Sequence, residues 1–236
     1  MNLNPIAVIQ WREMKSIDCG LLLVSMVCGV SYLLAPFLYA EEIKTYWPLN
    51  ATIKALAVST LAVIAFRLVR GRGRILLSLA LLFSSLGDIV LALRNGNYFV
   101  LGLLSFLVAH LFFITLWLRH WDTPLQTNGK QKLLVMMLLL FLVAMLWWML
   151  PIPGLSIPVA VYMCVLTTMV ITAALADFKS NWVVTGAVLF LLSDTIIALS
   201  TFKDVVGGRL AGLLIWSTYY LAQYLLTFGF LGGRNR

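Results

Sequence analysis

The sequence predicts an all-α polytopic membrane protein: a bundle of eight transmembrane helices forming one integral membrane domain over residues 1–236. Three observations predict it. The chain is 62% hydrophobic and only 11% charged, against roughly 25% charged residues in a soluble domain. Apolar runs of about 20 residues, the length that crosses a bilayer as a helix, recur along the whole chain. The connections between them are short and hold the residues that stop helices. This excludes a disordered chain, a disulfide scaffold and a water-soluble globule.

Residues 1–18 are polar and mixed in charge, and are expected to form a cytoplasmic N-terminal segment without a cleavable signal. The first apolar run, 19–40, is already of span length. Spans 51–70 and 75–93 follow, separated by Gly71-Arg-Gly-Arg74, and Arg94-Asn-Gly-Asn97 divides the third from 98–118. Spans 132–150 and 155–176 are divided by Pro151-Ile-Pro-Gly154. The last two, 182–200 and 209–231, are divided by a segment containing Gly207-Gly208. No connection could hold a soluble domain, so any chemistry lies inside the bundle or at its mouth.

The formal net charge of +8 reads as basic residues kept on cytoplasmic loops, not as a nucleic-acid surface. With eight spans both termini share one side, and that side collects twelve of the seventeen Lys and Arg residues. The positive-inside rule makes it cytoplasmic, and the expected location is a bacterial cytoplasmic (inner) membrane. Cys19, Cys28 and Cys164 sit in apolar runs, where an odd, buried set argues against disulfides. Trp117, Trp121, Trp147 and Trp148 read as interfacial belts.

An internal echo is more informative. Leu86-Gly-Asp88-Ile-Val-Leu-Ala-Leu93 resembles Leu192-Ser-Asp194-Thr-Ile-Ile-Ala-Leu199, 106 residues on. It pairs the third span with the seventh, which cross in the same direction, and suggests a 4+4 parallel internal duplication. Asp88 and Asp194 are also the only two of nine acidic residues placed well inside a span. A carboxylate at that depth is costly, so it faces a cavity or a partner and marks function, unless it serves helix packing alone. Lys54 falls near the same level, either facing the aspartates or snorkelling to the interface. His110, Tyr162, Ser193, Tyr219, Tyr220 and Gln223 are the further intramembrane polar candidates. Tyr219 and Gln223, four apart, share one helix face.

No Cys/His cluster suggests zinc or another metal, and no phosphate loop or Gly-x-Ser-x-Gly elbow is present. No cofactor is expected. Two adjacent carboxyls cannot both ionise easily, which makes an acid and a base of identical side chains. That suits hydrolysis of an acid-labile bond, peptide hydrolysis by an activated water, or proton-coupled transport of a lipid or solute. Physics alone leaves all three open. Leu86-Gly87-Asp88 matches the Gly-x-Gly-Asp motif of presenilin-like aspartyl proteases only in part, because Ser85 stands where that motif has Gly, and no Pro-Ala-Leu motif is present.

Four ordered segments carry a family resemblance: Phe83-Ser-Ser-Leu-Gly87-Asp88; Tyr98-Phe99 with Gly102, Phe106 and His110; Gly186-Ala187 with Phe190, Ser193-Asp194, Ala198-Leu199 and Phe202; and Ser217-Thr-Tyr-Tyr220 with Ala222-Gln223. Together, over roughly residues 50–230, they resemble the YhhN/lysoplasmalogenase family of eight-span membrane proteins. The resemblance implies hydrolysis of the vinyl ether bond of lysoplasmalogens to a fatty aldehyde and glycerophosphoethanolamine or glycerophosphocholine. It also implies that Asp88 and Asp194 are essential, and that Lys54, His110, Tyr219 and Gln223 fall on family-typical polar positions. The chain departs from the family at Phe113, where a Tyr is common, and at Ala57, where a Pro is common. On this reading one Asp donates a proton to the alkenyl carbon, and the other steadies the cation and orients water. Lys54 binds the phosphate or pairs with an Asp, and the single tail of the lysophospholipid enters sideways from membrane lipid.

Overall fold

The computed structural model describes residues 14–38, 47–93, 98–121, 127–178 and 180–233. Most of the 1–18 segment and the Arg94-Asn-Gly-Asn97 connection lie outside them. Eight helices follow in chain order: α1 (Ser16–Leu38), α2 (Trp47–Leu68), α3 (Arg72–Ala92), α4 (Tyr98–Leu118), α5 (Gly129–Met149), α6 (Ser156–Leu175), α7 (Trp182–Phe202) and α8 (Gly208–Gly233). No strand occurs among the described residues. The first seven are long and apolar enough to cross a membrane. The eighth is long enough, but Ser217-Thr-Tyr-Tyr220 and Gln223 dilute its hydropathy. Large apolar side chains cover the outside, among them Leu23, Val143 and Ile157, as on a surface solvated by lipid tails.

Helix ends follow capping chemistry more than hydropathy. α2 begins at Trp47, ahead of the apolar run, because Pro48 fits the first helical turn, where its missing N–H costs nothing. α5 begins at Gly129 because Asn128 and Gln131 form a reciprocal cap, with N–H to side-chain oxygen distances of 2.9 and 3.0 Å. The Gln131 amide also donates to Ala174 O at 2.9 Å, tying α5 to the end of α6. The tight turn from α2 to α3 needs Gly71, whose φ is 70°.

α1 begins before its apolar run as well. Asp18, expected in the polar segment, is 1% exposed in the first turn of α1. It accepts from Arg67 Nε at 2.5 Å and fastens α1 to the end of α2. Trp117 also departs from expectation. It is fully buried against Phe113, Phe178 and Phe230, whereas Trp147 stands 84% exposed. The cysteines are not a buried set: Cys19 and Cys164 are exposed, and all three are free thiols.

Small residues set the closest helix pairs. α3 packs on α4, where a Cβ on Gly87 would come within 2.6 Å of the Phe106 ring and one on Gly102 within 2.5 Å of Leu91. α7 packs on α8 in the same way. A Cβ on Gly186 would lie 3.0 Å from Leu226 N, and one on Gly229 would lie 2.9 Å from Val183 N. The latter neighbour is backbone and cannot swing aside. Gly229→Val is therefore expected to destabilise the detergent-solubilised protein by about 1–3 kcal/mol, an overpacking cost. Gly212→Ala, where a Cβ meets nothing within 4 Å, should leave the melting temperature unchanged.

Two further contacts close the bundle: α4 lies on α6, and α8 lies on α2. α1 packs on α2 and also reaches α8, whereas α5 packs chiefly on α6.

Candidate active site

Asp88 sits on α3 beside Gly87, where the close approach of α4 leaves it 3% exposed. Tyr219 of α8 donates its hydroxyl to Asp88 Oδ2 at 2.6 Å. Lys54 Nζ, from α2, lies 4.0 Å from Asp88 Oδ1. Two contacts orient Lys54. Ser85 donates to Ala55 O at 3.1 Å, which pins α3 to α2 next to Lys54. The ammonium lies over the rings of Tyr32 and Trp216, 4.9 and 5.4 Å from their centroids, a cation–π arrangement. Lys54 thus turns inward and does not snorkel.

Asp194 sits on α7 with a 9% exposed side chain. Tyr162 of α6 donates its hydroxyl to Asp194 Oδ2. His110 Nε2, from α4, is 3.1 Å from the Tyr162 oxygen and 3.7 Å from Asp194 Oδ2. Since the phenol proton goes to Asp194, Nε2–H is the donor to the phenol oxygen. His110 Nδ1 has no partner among the described residues, and the ring is held edge-on by Phe190 at 4.8 Å.

The two carboxyl groups share one neighbourhood. The Tyr219 ring, whose hydroxyl serves Asp88, meets Phe106 at 5.8 Å and Phe190 at 5.4 Å, both edge-on, and Phe190 in turn packs on His110 beside Asp194. Lys54, expected near the level of the aspartates, stands seven residues past the start of α2, which begins ahead of its apolar run, and α7 runs two residues past its own. Asp88 stands four residues before the end of α3 and Asp194 eight before the end of α7, about 6 and 12 Å at 1.5 Å per residue.

The remaining candidates scatter. Ser193 donates to Ile215 O at 3.1 Å and fastens α7 to α8. The Tyr220 hydroxyl pairs with Ser25 of α1 at 2.8 Å, and its ring stacks on Trp216. Gln223 is fully buried one turn from Tyr219, and neither of its amide atoms has a partner among the described residues. Sequence reasoning missed Tyr32 and Trp216. The available signal was that Tyr32 is the only ring of span 1 lying mid-run, and that Trp216 adjoins the Ser217–Tyr220 cluster.

An apolar cavity, partly open to the outside, lies between α3, α4, α5, α6 and α7. Phe106, Phe141, Met163 and Phe202 give its walls their character, and Tyr162, Thr167, Asp194 and Thr195 are its polar members. Among the described residues no group of three His, Cys, Asp or Glu converges to hold a metal ion.

The YhhN family model matches residues 49–230. The chain is 36% identical to a protein named lysoplasmalogenase from Mycobacterium bovis over 199 residues, covering 83% of this chain and 75% of the relative. A lysoplasmalogenase of Mycobacterium tuberculosis matches to the same extent. Lysoplasmalogenase TMEM86B of Sus scrofa is 33% identical over 201 residues, covering 85% of this chain and 81% of the relative. No solved structure matches.

Proposed function

The chain belongs to the YhhN family, and from that premise we propose that it is a multi-pass membrane lysoplasmalogenase. It hydrolyses the vinyl ether bond of a lysoplasmalogen to a fatty aldehyde and glycerophosphoethanolamine or glycerophosphocholine, by acid/base catalysis with Asp88 and Asp194. The single observation that carries this reading is an apolar cavity, suited to a hydrocarbon tail, whose wall includes one of the two intramembrane carboxyls.

The chemistry needs a proton donor at the β-carbon of the alkenyl chain, an anion near the oxocarbenium ion that results, and water. The two intramembrane carboxyl groups supply the first two, a division of labour analogous to that of glycosidases. Tyr219 and Tyr162 orient the carboxyls, and His110 orients Tyr162. Lys54 serves as the counter-ion of Asp88. This is favoured over phosphate binding because its ammonium is already engaged by Asp88, Tyr32 and Trp216. The buried Gln223 amide offers hydrogen bonds to the glycerol or to water. The eight helices all span, with both termini cytoplasmic, in a bacterial inner membrane. The 4+4 duplication is supported by the repeated Asp motif and by the matching pairs α3–α4 and α7–α8, and α8–α2 and α4–α6.

Purified protein in detergent is expected to release long-chain aldehyde from lysoplasmenylethanolamine, read by a coupled aldehyde dehydrogenase assay. Substrate consumed without aldehyde, or movement of lysolipid across proteoliposomes without product, would overturn the hydrolase reading in favour of a carrier.

A further inference from the structure

The two carboxyl stations have the same plan but different surroundings. Each Asp takes one partner from the helix before its own and a second from a helix of the other half. For Asp88 these are Lys54 of α2 and Tyr219 of α8. For Asp194 they are Tyr162 of α6 and His110 of α4. The helices correspond in pairs four apart, but the chemistry does not: an ammonium in one station faces a phenol in the other. The outer walls differ too. At the first station α1 is drawn in. Trp216 Nε1 donates to Gly29 O at 2.8 Å, Tyr32 packs on Trp216 at 4.7 Å, and a Cβ on Gly29 would strike the Tyr220 ring at 2.6 Å. Aromatic rings therefore crowd the Lys54 ammonium beside Asp88, although its side chain keeps 18% exposure. At the second station α5 stands in the place that α1 holds at the first, packs chiefly on α6, and leaves the cavity that Asp194 and Tyr162 border.

We infer that the two stations have separate tasks: the alkenyl chain of the substrate lies in the α3–α7 cavity with its vinyl ether against Asp194, which is the proton donor, while Asp88 never touches substrate and is a positioning residue. This rests on the lysoplasmalogenase reading and assigns the roles within it. The Asp194 carboxyl gives its proton to the β-carbon, the double bond's electron pair forms the new C–H bond, and the α-carbon becomes an oxocarbenium ion. Water adds to the α-carbon and returns a proton to the Asp194 carboxylate. The hemiacetal then breaks its C–O bond to glycerol, and the hydroxyl proton passes to the departing oxygen, giving aldehyde and alcohol with no other reactant. Asp88, joined to Lys54 and Tyr219, acts on the reacting group only through the side chains it holds. Through Tyr219 it sets the rings of Phe106, which borders the cavity, and Phe190, which packs on His110.

Two measurements on the full-length protein in detergent test this. In the first, a lysophospholipid with a diazirine near the head-group end of its chain is photolysed on the protein. Label is expected on α4, α6 and α7, for instance at Met163 or Leu191, and is expected to be lost in Ala198→Trp or Met163→Trp, either of which fills the cavity and raises KM at least tenfold. Label on Tyr32 or Trp216 instead, or an unchanged KM in both filled variants, overturns the assignment. In the second, turnover by Asp194→Gly is expected to recover at least tenfold with formate, which can enter the open cavity and act as the acid, whereas Asp88→Gly does not recover. Recovery at position 88 and not at 194 overturns the assignment. If label enters the cavity but no lysoplasmalogen is ever cleaved, the hydrolase reading fails while the binding cavity stands. If cleavage occurs with label on α1 and α8, the hydrolase reading stands and this inference fails.

Discussion

Asp194→Asn is expected to reduce turnover of lysoplasmenylethanolamine by about 10²–10⁴-fold, the usual worth of a general acid, while the protein keeps its melting temperature within a few degrees. The amide is nearly isosteric and can still accept from Tyr162, so the α6–α7 contact survives. What is lost is the transferable proton. Asp88→Asn is expected to abolish turnover by a comparable factor for a different reason: the Lys54 ammonium loses its carboxylate, and Tyr219, which sets the rings beside the cavity, loses its charged acceptor. Single-turnover aldehyde release by each purified variant, alongside its thermal unfolding, checks both. Activity of either variant within tenfold of the unsubstituted protein rules out a mechanism that uses both carboxyls.

Lys54→Met is expected to be the most destabilising single substitution in the site. The Asp88 side chain is 5% exposed and the Lys54 side chain 18%, so removing the cation leaves a carboxylate in a low-dielectric setting with only Tyr219 to solvate it. Breaking a buried pair from one side costs about 3–5 kcal/mol, whereas replacing both members by neutral groups is often close to neutral. The double variant Lys54→Met/Asp88→Asn should therefore recover most of the stability lost in Lys54→Met, read as detergent melting temperature, yet remain inactive. Recovery of both stability and activity would show that the pair has no chemical role. Recovery of neither would show that Lys54 acts through its packing on Tyr32 and Trp216 and not through its charge.

The architecture was legible because lipid imposes one rule on every span, a run of apolar residues long enough to cross. All eight helices stand where the apolar runs stand, and the errors lie at their ends. There Pro48, the Asn128–Gln131 cap and the Asp18–Arg67 pair extend helices beyond hydropathy. The two aspartates were legible for the complementary reason: a charge in an apolar run has no inconspicuous explanation. Their partners were only partly legible. Tyr162, His110, Tyr219 and Lys54 stand out as polar groups at depth, but a sequence does not show which hydroxyl points at which carboxyl. Tyr220, adjacent to Tyr219, turns to Ser25 instead. Trp117 was misplaced because indole suits a membrane interface and an aromatic core equally well, and only the convergence of Phe113, Phe178 and Phe230 decides between them. The cavity had no signature, since its walls are made of the same residues that face lipid elsewhere.

The light attachment of α5, held mainly by α6 and by the Gln131–Ala174 bond, has a kinetic consequence. A cavity walled by such a helix is expected to fill from the bilayer and not from water. The relevant substrate concentration is then the mole fraction of lysolipid in the leaflet, and rates should fall when inert phospholipid is added at constant bulk substrate. The two products also part by phase: the aldehyde stays dissolved among the acyl chains, and the glycerophospho-alcohol escapes into the aqueous phase. Hydrolysis is drawn forward by that partition, without the protein having to expel either product.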